Sequence, residues 1–233
     1  MPNVVRLNPL QPIPRRSAVE EVFDELYARV LSVELPPGAK LSEAEVAKQF
    51  DVSRQTVRDA FFRLSQLGFL VIRPQRATTV SRISTHDIYK ARFIRTAIEL
   101  ETVSRACRDL TDEDFDALDS LLTEQQAAVD GGNKPLFHAL DDDFHKSICD
   151  RLGLGLVWDS IRENKAHTDR VRFLSLATGS QTALDDHREI LAALRQRDAE
   201  RAQLALRTHL GRIDAVVAQL QAENHEWFVQ EGH

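Results

Sequence analysis

Ser53-Arg54-Gln55-Thr56-Val57-Arg58-Asp59-Ala60-Phe61-Phe62-Arg63-Leu64-Ser65-Gln66-Leu67-Gly68-Phe69-Leu70-Val71-Ile72 sets the architecture of the N-terminal third of this 233-residue chain. Ser53 is a good helix cap, and Val57, Ala60, Phe61 and Leu64 recur at helical spacing, so a helix is expected to about Leu67. Gly68 stops it. Phe69–Ile72 then reads as a short strand, and Thr78-Thr79-Val80 as its partner across Arg73-Pro74-Gln75-Arg76-Ala77. Upstream, Ser42-Glu43-Ala44-Glu45 has the form of a capping box opening a short helix to about Phe50, and Asp51-Val52 makes a tight turn. Before that, Val19, Val22, Phe23, Leu26 and Val30 mark an amphipathic helix over 17–32, ended by Leu35-Pro36-Pro37-Gly38. The order is helix, helix-turn-helix, then a two-stranded wing over residues 17–82. Residues 1–16, with Pro2, Pro9, Pro12 and Pro14, read as a flexible arm.

A helix-turn-helix lays its second helix in the major groove of DNA, with the N-terminal residues of that helix at the base edges. Arg54 and Arg58 lie one turn apart on one face, within reach of guanine edges or phosphates. Gln55 and Thr56 add base and phosphate contacts, Arg63 extends the outward basic face, and Lys40, Arg73 and Arg76 are candidate backbone anchors. An arginine-rich solvated face is the alternative reading of the helix alone, and the wing weighs against it. The net charge of −6 conceals a division. Residues 1–82 carry 12 Lys/Arg against 9 Asp/Glu, whereas residues 83–233 carry 18 against 27. A weakly basic head on an acidic body suits a protein that touches a polyanion at one end.

Beyond residue 84 the pattern is helical: stretches are expected at 85–109, 112–130, 133–151, 155–177, 181–196 and 198–224, with a tail over 225–233. Inward sets such as Leu118, Leu121, Leu122 and Gln125 indicate an all-helical bundle. No apolar run approaches the ~20 residues that span a bilayer. No signal peptide is expected at the N-terminus, so a cytoplasmic location is, with Cys107 and Cys149 as free thiols. Asp141 and His145 are four apart on one helical face. His187 and His209 sit on the last two stretches, where antiparallel helices joined near Asp198 would bring them level. One carboxylate and three imidazoles suit Zn²⁺, and also Mn²⁺, Ni²⁺ or Fe²⁺. By spacing alone, separate surface or core histidines are the commoner reading. His138, His167 and Cys149 share the neighbourhood.

Leu35–Glu43, Val52–Ala60 and Leu64–Leu70 together resemble the head of the GntR superfamily of regulators. That resemblance implies operator contacts from Arg54 and Arg58, and a dimer on a short pseudo-palindrome of double-stranded DNA. Ala44 departs from members with an arginine there, and the wing tip lacks a common glycine. Asp141-Asp142-Asp143-Phe144-His145, Asp186–Leu194 and Arg207–Leu210 resemble the three ligand segments of the FadR C-terminal (FCD) domain, over residues 85–224. The resemblance implies metal ligation by Asp141, His145, His187 and His209. It also implies a small organic acid effector held near the metal, with Arg95 and Glu99 matching an Arg-x-x-x-Glu motif. Asn164 and Arg172 are weaker pocket candidates, and Leu152-Gly153-Leu154-Gly155 replaces a common Ser-Gly-Asn turn. The expected protein is thus mainly α, with a winged helix-turn-helix and an all-helical FCD-type body: a homodimeric regulator, most simply a repressor, and not an enzyme. A metal-independent, acyl-CoA-type regulator and a helical-bundle metalloenzyme are the alternatives.

Overall fold

The computed structural model describes residues 17–162 and 165–229, so the expected arm at 1–16 and the pocket candidate Asn164 lie outside the described residues. The head contains α1 (Ala18–Leu31), α2 (Glu43–Gln49) and α3 (Arg54–Gln66), with strands β1 (Lys40–Leu41), β2 (Leu70–Val71) and β3 (Thr78–Val80). Each helix starts where the sequence places a cap. Ser17 and Glu20 form a complete capping box, Ser42 accepts from the Glu45 amide, and Ser53 accepts from the Thr56 amide. Gly68 takes φ 80°, a left-handed conformation that glycine adopts without strain, and releases the chain into β2. Val22, Leu26, Val30, Val57, Phe61 and Leu64 close one apolar core beneath the sheet.

The expected two-stranded wing is a three-stranded antiparallel sheet in the order β1-β3-β2. Lys40 and Leu41 pair with Thr79 and Thr78, and Leu70 pairs with Val80. Two residues beside a Pro-Pro-Gly turn offer too short a pattern to read as a strand; pairing to β3 makes them one.

The body is built from α4 (Thr85–Asp109), α5 (Asp112–Asp130), α6 (Lys134–Arg151), α7 (Gly155–Arg162), α8 (Ala166–Arg195), α9 (Ala199–Gly211) and α10 (Ile213–Glu223). Two expected helix divisions are corrected. The stretches 155–177 and 181–196 are replaced by a short α7 and a single 30-residue α8 that runs through Gly179. A mid-helix glycine costs about 1 kcal/mol relative to alanine. Packing of α8 against α4, α5, α6, α9 and α10 outweighs that cost. The last stretch, 198–224, divides at Arg212, whose guanidinium is tied back to Asp186 on α8.

The main body core runs through Val103, Phe115, Leu118, Phe137, Phe144, Leu194 and Leu206. Residues 225–229, expected as part of a tail, return to the junction between head and body. Phe228 forms a parallel bridge with Ile83 and is 1% exposed, packed with Ile88, Val171 and Val217. Beside it, Arg170 of α8 is fully buried. It donates to the carbonyl and hydroxyl of Ser81, and Ser81 in turn donates to the Gly68 carbonyl. No helix among the described residues is long and apolar enough to cross a membrane.

Candidate metal centre and nucleic-acid face

On the head, the N-terminal end of α3 presents Arg54, Gln55 and Arg58 to solvent. Gln55 donates to Asp59 at 2.8 Å, and Arg58 pairs with Glu43 of α2 at 2.9 Å. The Thr56 hydroxyl lies 2.8 Å from that of Ser53, inside the cap. Lys40, Arg73 and Arg76 are exposed along the sheet and wing tip, where Gln75 takes φ 57°. Arg63 differs from its expected place. At about 100° per residue, nine residues set it roughly opposite Arg54 around the helix axis. There its guanidinium lies 4.3 Å from the Phe23 ring centroid, facing a cleft between head and body.

In the body, α6, α8 and α9 bring Asp141, His145, His187 and His209 together, with one ligand atom from each lying within 4.8 Å of the others. Each imidazole is held from behind. His145 Nδ1 is 2.8 Å from Glu99 Oε2, His187 Nδ1 is 2.8 Å from Gln125 Oε1, and His209 Nδ1 is 3.5 Å from Asp186 Oδ2. Gln125 is itself fixed, donating to the Leu140 carbonyl. With Nδ1 of His145 and His187 held and that of His209 facing Asp186 at ion-pair distance, the Nε2 atoms turn inward. Those of His145 and His209 lie 3.2 Å apart, and that of His187 is buried without a hydrogen-bond partner, 3.6 Å from Asp141 Oδ1. Burial disfavours the imidazolium at all three sites, holding His209 at about 4 and His187 well below the usual histidine value. Three neutral imidazoles and a carboxylate are the protonation states that bind a divalent cation. These residues fit a cation, and an orphaned buried Nε2 is otherwise a cost without return.

Beside the cluster is a cavity of about 410 Å³, lined by Arg95, Asp141, Arg172 and His209 with an apolar wall that includes Val171 and Leu210. Arg95 pairs with Glu99 through Nε and leaves Nη2 buried without a partner. Glu99, expected at the effector, instead backs His145. Burial pushes its carboxyl up, but Arg95 and His145 more than offset this and hold it below the usual carboxylate range. Arg172 reaches Asp141 through Nη2, and through Nη1 reaches Asp142 at 3.2 Å and Asp169 at 3.5 Å. Lys165 joins Asp142 to Asp169. The outer partners Gln125 and Asp186, and the network of Asp142, Lys165 and Asp169, are not among the site residues expected from sequence.

The neighbouring histidines lie elsewhere. His138 packs beside Phe173, and His167 accepts from the Ser84 amide. Burial lowers His138 to about 3 and His167 to about 4, with Arg172 and Arg170 respectively adding to it. Both therefore bind protons more readily in the unfolded chain, near 6.5, than in the native one. The unfolded state gains protons as pH falls, so stability is intact above about pH 6.5 and is lost progressively toward pH 4. At 1.36 kcal/mol per pH unit, the loss at pH 4 is roughly 3 kcal/mol for each histidine. Urea titrations at pH 7 and pH 5 of the native protein and of His138→Phe check this. The variant is expected to lose less stability between the two pH values, and an equal loss refutes the assignment. Cys149 is buried against Trp158 and Ile161.

Comparison with known proteins identifies the two domains. Residues 18–80 match the family described as bacterial regulatory proteins, gntR family, and residues 87–212 match the FCD domain. The HTH-type transcriptional repressor RspR of Escherichia coli is 35% identical over 228 residues, covering 97% of this chain and 98% of that protein. An HTH-type transcriptional regulator of Streptomyces ambofaciens is 32% identical over 91% of this chain and 90% of its own length. The solved structure of E. coli McbR shares the fold, with a TM-score of 0.71 at 24% identity, covering 88% of this chain and 99% of that one. The chain belongs to the GntR family of bacterial regulatory proteins with an FCD domain, and it is a transcriptional regulator rather than an enzyme.

Proposed function

We propose that the protein is a cytoplasmic, homodimeric repressor whose body holds a divalent metal, Zn²⁺ by preference, and a small carboxylate that controls the head. The observation that carries this reading is the convergence of the three Nε2 atoms beside Asp141, each ring backed at Nδ1 by Glu99, Gln125 or Asp186. Outer partners of this type orient ligating imidazoles and raise their basicity. Asp141, His145, His187 and His209 would hold the ion, which when bound offers a Lewis-acidic position to a carboxylate. Arg95 Nη2 and Arg172 supply the guanidinium partners for that carboxylate, and the apolar wall accommodates the rest of a small organic acid. Two heads per dimer reading a pseudo-palindromic duplex through Arg54, Gln55, Thr56 and Arg58, with Lys40, Arg73 and Arg76 on phosphates, complete the regulator.

Elemental analysis of the purified native protein, followed by a thermal-shift screen of organic acids, tests it. The expected result is one transition metal per chain and an acid that raises Tm only in the metal-loaded protein. Metal-free protein that cannot be loaded with Zn²⁺, Mn²⁺, Ni²⁺ or Fe²⁺ would refute the reading.

A further inference from the structure

Among the described residues, head and body share two polar ties of different kinds, beside the apolar packing of Phe173 on the head core. The first is a pin: Arg170, fully buried, donates to the Ser81 carbonyl and hydroxyl, and Ser81 donates to the Gly68 carbonyl. Its acceptors are neutral, so it does not depend on charge elsewhere in the body. The second is made of charges. Tyr27 of α1 donates to Asp169 Oδ2 at 3.4 Å. Asp169 Oδ1 is held by Lys165 at 3.0 Å and by Arg172 at 3.5 Å. Lys165 also holds Asp142, and Arg172 also holds Asp142 and the candidate metal ligand Asp141. A continuous chain of contacts thus runs from the candidate ion site to the first helix of the DNA-binding head.

We propose that Arg172, Asp142, Asp169, Lys165 and Tyr27 form a relay by which occupation of the Asp141 site loosens helix α1. This rests on the metal reading given above and adds how that site would be heard by the head. The arithmetic of the network makes it responsive. One guanidinium serves three carboxylates, and two cations, Arg172 and Lys165, face Asp141 and Asp169, which are buried, and Asp142, which is half-buried. Low dielectric makes such pairs sensitive to any added charge. With Asp141 committed to a cation, Arg172 is freed from it and its hydrogen bonds go to Asp142 and Asp169. Asp169 is then drawn away from the Tyr27 hydroxyl.

A cleft leaves room for such a shift. Tyr27, Lys165 and Asp169 line a cleft of about 500 Å³ between α1, α3 and the body, with Phe23, Phe62 and Arg63 across it. Tyr27 stacks on Phe23 and meets Phe69 edge-on, so a shift at its hydroxyl is passed to the packing of α1 on α3. Arg170 sits on the other side of the junction as a fixed point. The coupling element is therefore α8 itself, which carries Lys165 just before its first turn, Asp169, Arg170 and Arg172 in its first two turns and His187 farther along.

Hydrogen exchange of the α1 amides in the full-length protein, with and without one equivalent of Zn²⁺, tests the relay. Zn²⁺ content is measured on the same samples. In the native protein, Zn²⁺ is expected to speed α1 exchange several-fold. Tyr27→Phe keeps both ring contacts and removes only the hydroxyl. It is expected to bind the same amount of Zn²⁺, to exchange faster at α1 from the outset, and to show no further change on loading. Asp169→Asn, nearly isosteric, is expected to behave likewise. An α1 response to Zn²⁺ that persists in both variants overturns the relay, as does a loaded native protein whose α1 does not respond. A native protein that takes up no Zn²⁺ overturns the metal reading itself, and the relay with it.

Discussion

His187→Ala is expected to weaken metal binding by about two orders of magnitude and to remove about two thirds of the rise in Tm that metal confers. The ring is wholly buried at the centre of the cluster, stacked on Phe144 and within 5.1 Å, centroid to centroid, of both His145 and His209. If a four-ligand site contributes on the order of 10–16 kcal/mol, one ligand accounts for about 3 kcal/mol, or a hundredfold in Kd. At metal concentrations near 1,000 times Kd, binding stabilises the native state by about 4 kcal/mol. In a chain of this size that is a shift of roughly 8–16 °C, of which the variant, at about ten times its own weakened Kd, keeps about a third. Gln125→Leu probes the positioning effect, because it leaves every ligand in place and removes the acceptor at His187 Nδ1 together with the donor to the Leu140 carbonyl. Its expected cost is about 10–100-fold in affinity. A purely packing role for these histidines gives another pattern: His187→Ala would then destabilise the metal-free protein and leave metal content unchanged. Full metal occupancy in both His187→Ala and His209→Ala would remove the site.

The head is more legible in the sequence than the body, and the reasons are physical. Caps and turns are local chemistry. Ser17, Ser42 and Ser53 announce their helices within four residues, and Gly68 announces a stop, so the boundaries of α1, α2 and α3 can be read without tertiary information. What escapes such a reading depends on pairing or on the far side of a helix. Strand β1 exists only because Thr78 and Thr79 are opposite it. Arg63 groups with the outward arginines by residue type, although the helical period turns it toward Phe23. In the body, Gly179 suggests a break that packing on both sides of α8 overrides.

The four candidate ligands carry a weak local signal, one i,i+4 pair and two isolated histidines, which the family resemblance sharpens. Their backing partners carry almost none, because Glu99, Gln125 and Asp186 come from three helices and meet the imidazoles only in three dimensions. Gln125 does offer a clue. It is an amide on the stripe of Leu118 and Leu122, and it is fully buried. A polar residue at a position that periodicity assigns to the core requires a partner, and here the partner is a histidine.

The second large effect is expected at the other end of the molecule. Arg54→Ala/Arg58→Ala should lower affinity for an operator selected from a random duplex library by more than a hundredfold. Both side chains project from the first turns of α3, where a recognition helix meets base edges, and a good arginine pairing with a base is worth about 1–3 kcal/mol. If either instead touches phosphate, its removal makes the slope of log K against log salt shallower by about one, so the salt dependence tells base reading from backbone anchoring. Glu43 refines the prediction. Its carboxylate holds Arg58 at 2.9 Å in the protein alone, and that pair must open or be shared before the guanidinium meets DNA. Glu43→Gln is therefore expected to raise affinity a few-fold, since an exposed pair of this kind contributes no more than about 1 kcal/mol and a carboxylate near phosphate is repulsive. Arg63→Ala, by contrast, should leave operator affinity nearly unchanged, because its guanidinium lies over Phe23 and away from the Arg54 flank. Measurement of all three by fluorescence anisotropy on one duplex separates the readings. Unchanged affinity in the double variant would rule out the N-terminal turns of α3 as the DNA-reading surface, and a large loss in Arg63→Ala would relocate that surface toward the interdomain cleft.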